Sequence, residues 1–130
     1  MNTQSKGLAV VTGASSGIGA VYADRLARRG YDLLLVATSQ EAMSDLAKRL
    51  PVQTRRKVQA VATDLTDPKH LAQLERILRQ DSRVTLLVNN AGSGATKPLV
   101  DSDVADVSRM IALNVDALTR LCGTNWQTQV

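Results

Sequence analysis

The chain has 130 residues, 44% of them hydrophobic, which is enough for one domain with a buried core. Its net charge of +4 comes with only 2% aromatic residues, which argues against a nucleic-acid surface, because such surfaces combine basic groups with stacking rings. It shows no apolar run of about 20 residues and no secretory signal, and the single cysteine, Cys122, excludes an internal disulfide. We therefore expect a cytoplasmic protein without nucleic-acid or membrane partners.

Strand-like and helix-like runs alternate along the chain. Apolar and β-branched runs predict strands at Leu8 to Thr12, Leu33 to Ala37, Val58 to Thr63, and Val84 to Asn89. The first helix is predicted to follow Gly17 and stop near Gly30.

The other helices are predicted from helical spacing and from start and stop signals. The second is expected to end at Pro51, and its apolar face comprises Met43, Leu46, Ala47 and Leu50. The third begins at Asp67-Pro68, an N-cap followed by proline, and buries Leu71, Leu74, Ile77 and Leu78. The fourth begins near Asp101 or Ser102 and carries the apolar residues Val104, Val107, Ile111, Leu118 and Leu121.

This alternation predicts an α/β fold, a doubly wound parallel sheet with strand order 3-2-1-4. The third strand is the least apolar and suits an edge, whereas the fourth suits an interior position with a further neighbour. Because no fifth strand follows, the later strands of such a sheet are missing. We assign residues 1–121 to one truncated α/β domain, and we expect 122–130 to be a disordered polar tail.

A glycine-rich turn joins the first strand to the first helix, reading TGASSGIG from Thr12 to Gly19. Such a junction presents free backbone N–H groups and the positive end of a helix dipole, which suit a phosphate. The alternative is a tight turn that uses glycine only for its backbone freedom. The candidate cofactor-binding residues here are Gly13, Ser15, Ser16, Gly17, Ile18 and Gly19.

The second strand is followed by Thr38 and Ser39, with no acidic residue where NAD-preferring sites place one to bind the ribose 2′-hydroxyl. The missing acid permits a 2′-phosphate, so we favour NADP over NAD, with Thr38 and Ser39 as its hydrogen-bond partners. Thr38 and Glu41 also fit a helix capping box, an alternative use of Thr38.

Four motifs in this order resemble the short-chain dehydrogenase/reductase family over residues 7 to about 121. They are the TGASSGIG turn, Asp64-Leu65 after the third strand, Asn89-Asn90-Ala91-Gly92 after the fourth, and Asn114 within Ala112-Leu113-Asn114-Val115. The resemblance implies a Rossmann fold and a nicotinamide dinucleotide cofactor, so that residues 1–121 would form a truncated dinucleotide-binding domain. Family members run to about twice this length, so the chain resembles an N-terminal half.

The resemblance also implies roles for these residues. Asp64 and Leu65 would contact the adenine, and Asn90, Ala91 and Gly92 would face the ribose and nicotinamide, although Asn89 could instead pin neighbouring backbone. The family's catalytic group is a serine, a Tyr-x-x-x-Lys pair and an asparagine. Of these residues, this chain has only the asparagine, as Asn114. It has no Tyr-x-x-x-Lys pair, because the residues four positions after its two tyrosines are leucines.

Three hypotheses follow for function. The first is hydride transfer between a nicotinamide cofactor and a carbonyl or alcohol, with this chain supplying the cofactor half. The second is a non-catalytic nucleotide-binding or interaction module, including a homo-oligomer formed through the fourth helix or fourth strand. The third is a non-functional gene fragment. No spacing suggests a metal site; we expect His70 to be a solvated surface residue and Cys122 a small buried apolar one.

Overall fold

The computed structural model describes residues 4–15, 17–91 and 104–122. In chain order the elements are β1 (Leu8–Thr12), α1 (Gly17–Arg28), β2 (Asp32–Ala37), α2 (Gln40–Thr54), β3 (Val58–Ala62), α3 (Pro68–Gln80), β4 (Val84–Val88), α4 (Val104–Ile111), a π-helical segment (Ala112–Ala117) and α5 (Leu118–Cys122). The four predicted strands are confirmed to within one residue at each end.

The four strands form one parallel sheet in the order β3-β2-β1-β4, which confirms the predicted topology. β1 is central, and Val10 lies opposite Leu34 on one side and Leu87 on the other. β3 forms one edge and is only partly buried, as its composition predicted. β4 is almost completely buried, yet among the described residues it pairs only with β1.

Apolar side chains cover both faces of the sheet, because successive strand residues point to opposite sides. Ala9 and Val11 of β1 join the core beneath α1 and α2, whereas Leu8 and Val10 join the core beneath α3 and α5. Helices on both faces define the doubly wound arrangement. Because the four strands run parallel, all of them end at the same side of the sheet, which we call its carboxyl-terminal edge.

Two helices begin or end as their sequences predicted. Gly30, with φ of 104°, ends α1, where Tyr31 N–H donates to Leu26 O and Gly30 N–H to Ala27 O, each at 3.1 Å. Asp67 caps α3, because its carboxylate accepts from Lys69 N–H at 2.9 Å.

Two predictions about the second and third helices are wrong. Pro51 does not end α2, which continues to Thr54 and stops where Arg55 adopts φ of 59°. A proline in the last turn removes one N–H donor, but its carbonyl still accepts from Arg55 N–H at 2.9 Å. On α3, Ile77 is 38% exposed, since Leu71, Leu74 and Leu78 already fill the contact with the sheet.

The fourth helical region departs from the single apolar face that was predicted. Val104 is 81% exposed and Ile111 is 52% exposed, whereas Leu121 is buried. The π-helical segment between α4 and α5 has i→i+5 hydrogen bonds, so it breaks the 3.6-residue period on which the prediction relied. The predicted helix start, the side chains of Val107 and Leu118, and the tail at 123–130 lie outside the described residues.

None of the helices within the described ranges combines the length and the apolar character that a membrane crossing requires.

Candidate functional site

The predicted site residues follow the carboxyl ends of the four strands. Gly13 and Ser15 follow β1, Thr38 and Ser39 follow β2, Asp64 and Leu65 follow β3, and Asn90 and Ala91 follow β4. Because all four strands run parallel, these residues lie together at the carboxyl-terminal edge of the sheet. The strand order reverses between β1 and β4, which is where open α/β sheets form a ligand crevice.

The three glycines of the turn differ in what surrounds them. A Cβ on Gly13 would come within 2.9 Å of the Ala91 backbone, and one on Gly19 would come within 2.1 Å of Gly13 O. A Cβ on Gly17 would meet nothing within 4 Å. Gly13 and Gly19 are thus required by internal packing, whereas Gly17 is exposed and opens onto free space at the start of α1.

Gly17 is the glycine of the turn that faces open space. Gly17 has φ of 59°, a conformation that favours glycine, and it places the first backbone groups of α1 next to this space. Ile18, 67% exposed, lies beside it. The phosphate contacts of Gly13, Ser15, Gly17, Ile18 and Gly19 remain predictions, and Ser16 lies outside the described residues.

The hydroxyl of Thr12 joins the ends of β1 and β4, a role that was not predicted from the sequence. Thr12 is completely buried. Its Oγ1 donates to Val88 O at 3.3 Å and accepts from the N–H groups of Asn90 and Ala91, each at 3.0 Å. Its position, a polar residue closing an apolar strand before the glycine turn, was the signal available in the sequence.

Asn90, rather than Asn89, pins the neighbouring backbone. The Asn90 side-chain amide donates to Gly13 O at 3.2 Å, and this bond holds the loop after β4 against the glycine turn. Asn89 instead donates to Cys122 Sγ at 3.2 Å. Contacts of Asn90 and Ala91 with a ribose or nicotinamide remain predictions, and Gly92 lies outside the described residues.

Cys122 does not occupy the buried apolar position that was expected. It is exposed, and its sulfur accepts the Asn89 hydrogen bond, because the last turn of α5 brings it to the end of β4. Asn114 lies in the π-helical segment, and its side chain is outside the described part of the structure.

Ser39, not Thr38, caps α2, so the capping-box alternative for Thr38 is wrong. Ser39 Oγ accepts from Ala42 N–H at 3.2 Å, because Ser39 is the residue that takes the extended conformation before the helix. Thr38 lies one residue earlier and is exposed, so both hydroxyls remain candidates for hydrogen bonds to a ribose 2′-phosphate.

The segment after β3 is held by its own side chains. Asp64 Oδ1 accepts from both the N–H and the hydroxyl of Thr66, and Asp64 N–H donates to His70 Nδ1 at 3.0 Å. The sequence predicted a solvated surface histidine, but His70 is only partly exposed and accepts this hydrogen bond. Leu65 is buried against the core beneath α3, which leaves its backbone as the part that a ligand would contact.

A second unpredicted contact joins the first residue of α2 to β3. Gln40 Nε2 donates to Ala60 O, and Gln40 Oε1 accepts from Ala62 N–H, each at 3.1 Å. No period or motif marks a single glutamine at a helix start, so the sequence held no signal for this contact.

The carboxyl groups with clearly perturbed pKa values belong to surface ion pairs away from the carboxyl-terminal edge of the sheet. Arg28 donates a hydrogen bond to Asp24 and holds the pKa of that carboxyl below its usual value, and Arg83 does the same for Asp81. Asp81 lies before β4, at the opposite end of the strand from Asn90. Within the described ranges, no group of three or more His, Cys, Asp or Glu residues could hold a metal ion.

Comparison with known proteins identifies the class of protein to which this chain belongs. The family described as short chain dehydrogenase matches residues 7–128, and the chain therefore belongs to the short-chain dehydrogenase/reductase family.

Individual relatives agree with this assignment. The chain is 33% identical over 115 residues to a very-long-chain 3-oxoacyl-CoA reductase of Danio rerio, covering 88% of this chain and 36% of that protein. It matches a short-chain dehydrogenase from Sphingobium yanoikuyae in complex with NADPH at 45% identity and a TM-score of 0.88, covering 91% of this chain and 46% of that one.

A third similar protein is the bulky-bulky ketone specific alcohol dehydrogenase from Comamonas testosteroni, with 41% identity and a TM-score of 0.90. That match covers 93% of this chain and 48% of the other. The chain thus spans between about a third and a half of the length of these three relatives.

Proposed function

We propose that this chain binds NADP(H) and is the coenzyme-binding part of an oxidoreductase that moves a hydride between nicotinamide and a carbonyl or alcohol. One observation carries the proposal: Gly17, at φ of 59°, opens the start of α1 onto free space at the reversal of strand order. The sequence similarity to an NADPH-bound short-chain dehydrogenase supports it.

Each part of the coenzyme has candidate partners in this chain. The N–H groups that begin α1 and the hydroxyl of Ser15 would hold the diphosphate bridge. Asn90 and Ala91 would face the nicotinamide ribose. Asp64 and the backbone of Leu65 would contact the adenine, at the far end of the same edge. The bound coenzyme supplies the hydride, and these residues bind and orient it.

The 130 residues contain no Tyr-x-x-x-Lys, the family's general acid/base pair, so we expect coenzyme binding without turnover. Fluorescence titration of the purified chain with NADPH tests binding, and consumption of NADPH with a panel of aldehydes and ketones tests turnover. Absence of NADPH binding would overturn the proposal. Binding without turnover fits both the coenzyme-binding part of an enzyme and a non-catalytic nucleotide-binding module.

We predict that Thr38→Asp turns the chain away from NADP(H). A carboxylate after β2 would repel a 2′-phosphate and accept a hydrogen bond from a 2′-hydroxyl. We expect NADPH affinity to fall by about 10- to 100-fold while NADH affinity holds or rises. Isothermal titration calorimetry with both coenzymes measures this, and Thr38→Asn, similar in size but neutral, is the matched control. An equal loss for both coenzymes would contradict the assignment.

We also propose that copies of this chain associate through the fourth helical region or β4. The exposed apolar side chains of Val104, Ile111 and Val115 support this, as does the pairing of β4 on one side within the described residues. A monomer at every concentration in sedimentation equilibrium would exclude it.

The single cysteine supports a reducing, cytoplasmic compartment, which localisation of a tagged protein in cells would test.

A further inference from the structure

Gln40 bonds to the edge strand as a neighbouring strand would. On either side of β3, Lys57 O accepts from Leu33 N–H of β2 at 2.9 Å, and Thr63 N–H donates to Ala37 O of β2 at 2.8 Å. The odd-numbered residues of 57–63 therefore direct their backbone groups toward β2. Ala60 and Ala62, in even positions, therefore direct theirs to the outer edge of the sheet.

The Gln40 amide fills both of these outer positions. Its Nε2 donates to Ala60 O and its Oε1 accepts from Ala62 N–H, each at 3.1 Å. A primary amide carries the donor and the acceptor of a peptide group, so this side chain takes two adjacent bonds that a fifth strand would otherwise take. The end of β3 is thereby held on both edges, by Gln40 outside and by Ala37 O inside.

The two segments joined in this way are the ones that would receive the adenosine half of the coenzyme. Gln40 directly follows Thr38 and Ser39, and Ala62 lies two residues before Asp64. A movement of the β3 end relative to the start of α2 would change the distance between the adenine partners and the 2′-phosphate partners.

We propose that Gln40 is a positioning residue for the adenosine 2′-phosphate end of the site. This inference rests on the proposed NADP(H) binding. Gln40 need not contact the coenzyme: its two hydrogen bonds keep Thr38 and Ser39 in register with Asp64 and Leu65. Preorganised partners lower the ordering cost of binding, so the contact contributes to nucleotide affinity.

A second reading gives Gln40 only a protective role. Side chains that occupy an edge strand prevent it from pairing with another chain. In that case loss of the amide would promote self-association through β3 and would leave nucleotide affinity unchanged.

The test replaces Gln40 with methionine, which keeps the length of the side chain and removes both hydrogen bonds without adding charge. Gln73→Met, on an exposed position of α3, is the matched control. Affinities for NADPH and for 2′,5′-ADP are measured by calorimetry at a temperature where circular dichroism shows every variant folded. Sedimentation and amide hydrogen exchange at Ala62 are measured on the same samples.

We expect Gln40→Met to weaken NADPH and 2′,5′-ADP equally, by about fivefold, because both ligands carry the adenosine 2′-phosphate. Exchange at Ala62 should become faster, and NADPH should slow it in the wild type. Gln73→Met should change none of these values.

Unchanged affinities in Gln40→Met, with or without self-association, would overturn the positioning role while leaving the proposed function intact. A loss confined to NADPH would also overturn it, since the effect would then lie outside the adenosine end. A wild-type chain that binds neither ligand would overturn the proposed function, and the positioning role with it.

Discussion

Thr12→Val is expected to lower the free energy of unfolding by about 2–3 kcal/mol, because it leaves the N–H groups of Asn90 and Ala91 without their acceptor. Valine has nearly the shape of threonine, so the buried space at the end of β1 stays filled and the loss reports on the hydroxyl. Urea unfolding followed by circular dichroism measures it.

The same substitution should weaken NADPH binding, since the loop after β4 would no longer be fixed against the end of β1. Thr12→Ser is the matched control: it keeps the hydroxyl and loses one methyl group, for which we expect about 1 kcal/mol. If Thr12→Val proves as stable as Thr12→Ser, the hydroxyl does not carry the junction between the two loops.

Gly19→Ala is expected to have the second large effect. Its Cβ would lie 2.1 Å from Gly13 O and 2.6 Å from the side-chain nitrogen of Asn90, so the turn, the helix or the asparagine must move. Overpacking of this kind costs about 1–3 kcal/mol of stability. Displacement of the turn should also weaken NADPH binding by about tenfold, equivalent to about 1.4 kcal/mol. Thermal or urea unfolding and an NADPH titration measure the two losses.

Gly17→Ala provides the contrast within the same turn. Its Cβ meets nothing within 4 Å, but its φ of 59° costs a side chain about 1–2 kcal/mol. The added methyl would enter the space assigned to the diphosphate, so we expect Gly17→Ala to impair binding without a steric clash in the fold.

For Gly19→Ala, in contrast, wild-type stability would show that the turn can relax and that its packing is not a constraint.

Most element boundaries could be predicted because they follow from local patterns, and the strand order could be predicted because alternating strands and helices indicate a doubly wound parallel sheet. Continuous apolar runs gave the strands, Asp67-Pro68 gave the start of α3, and Gly30 gave the end of α1. The end of α2 could not be read from Pro51, because a proline near the last turn sacrifices a single hydrogen bond and the helix can continue past it.

The positions of the candidate site residues were predictable, but the bonds among them were not. Parallel strands bring their carboxyl ends to one edge whatever the side chains are. The hydrogen bonds of Gln40 and Asn89 join segments that lie 22 and 33 positions apart in sequence, and no period encodes the distance between such segments. The bond from Asp64 N–H to His70 spans only six positions, but no motif marks it. The π-helical segment around Asn114 escaped prediction because the argument for its neighbours assumed 3.6 residues per turn.

The pairing of β1 with β4 has a consequence for the order in which the protein folds. Thr12 and Asn90 are 78 positions apart in sequence, yet they share a hydrogen bond at the centre of the candidate crevice. Closing so long a loop has an entropic cost, and contacts of this range tend to slow folding. A ribosome must therefore have released residue 91 before the crevice can exist, and nucleotide capture by a nascent chain would mark the moment at which β1 and β4 have met.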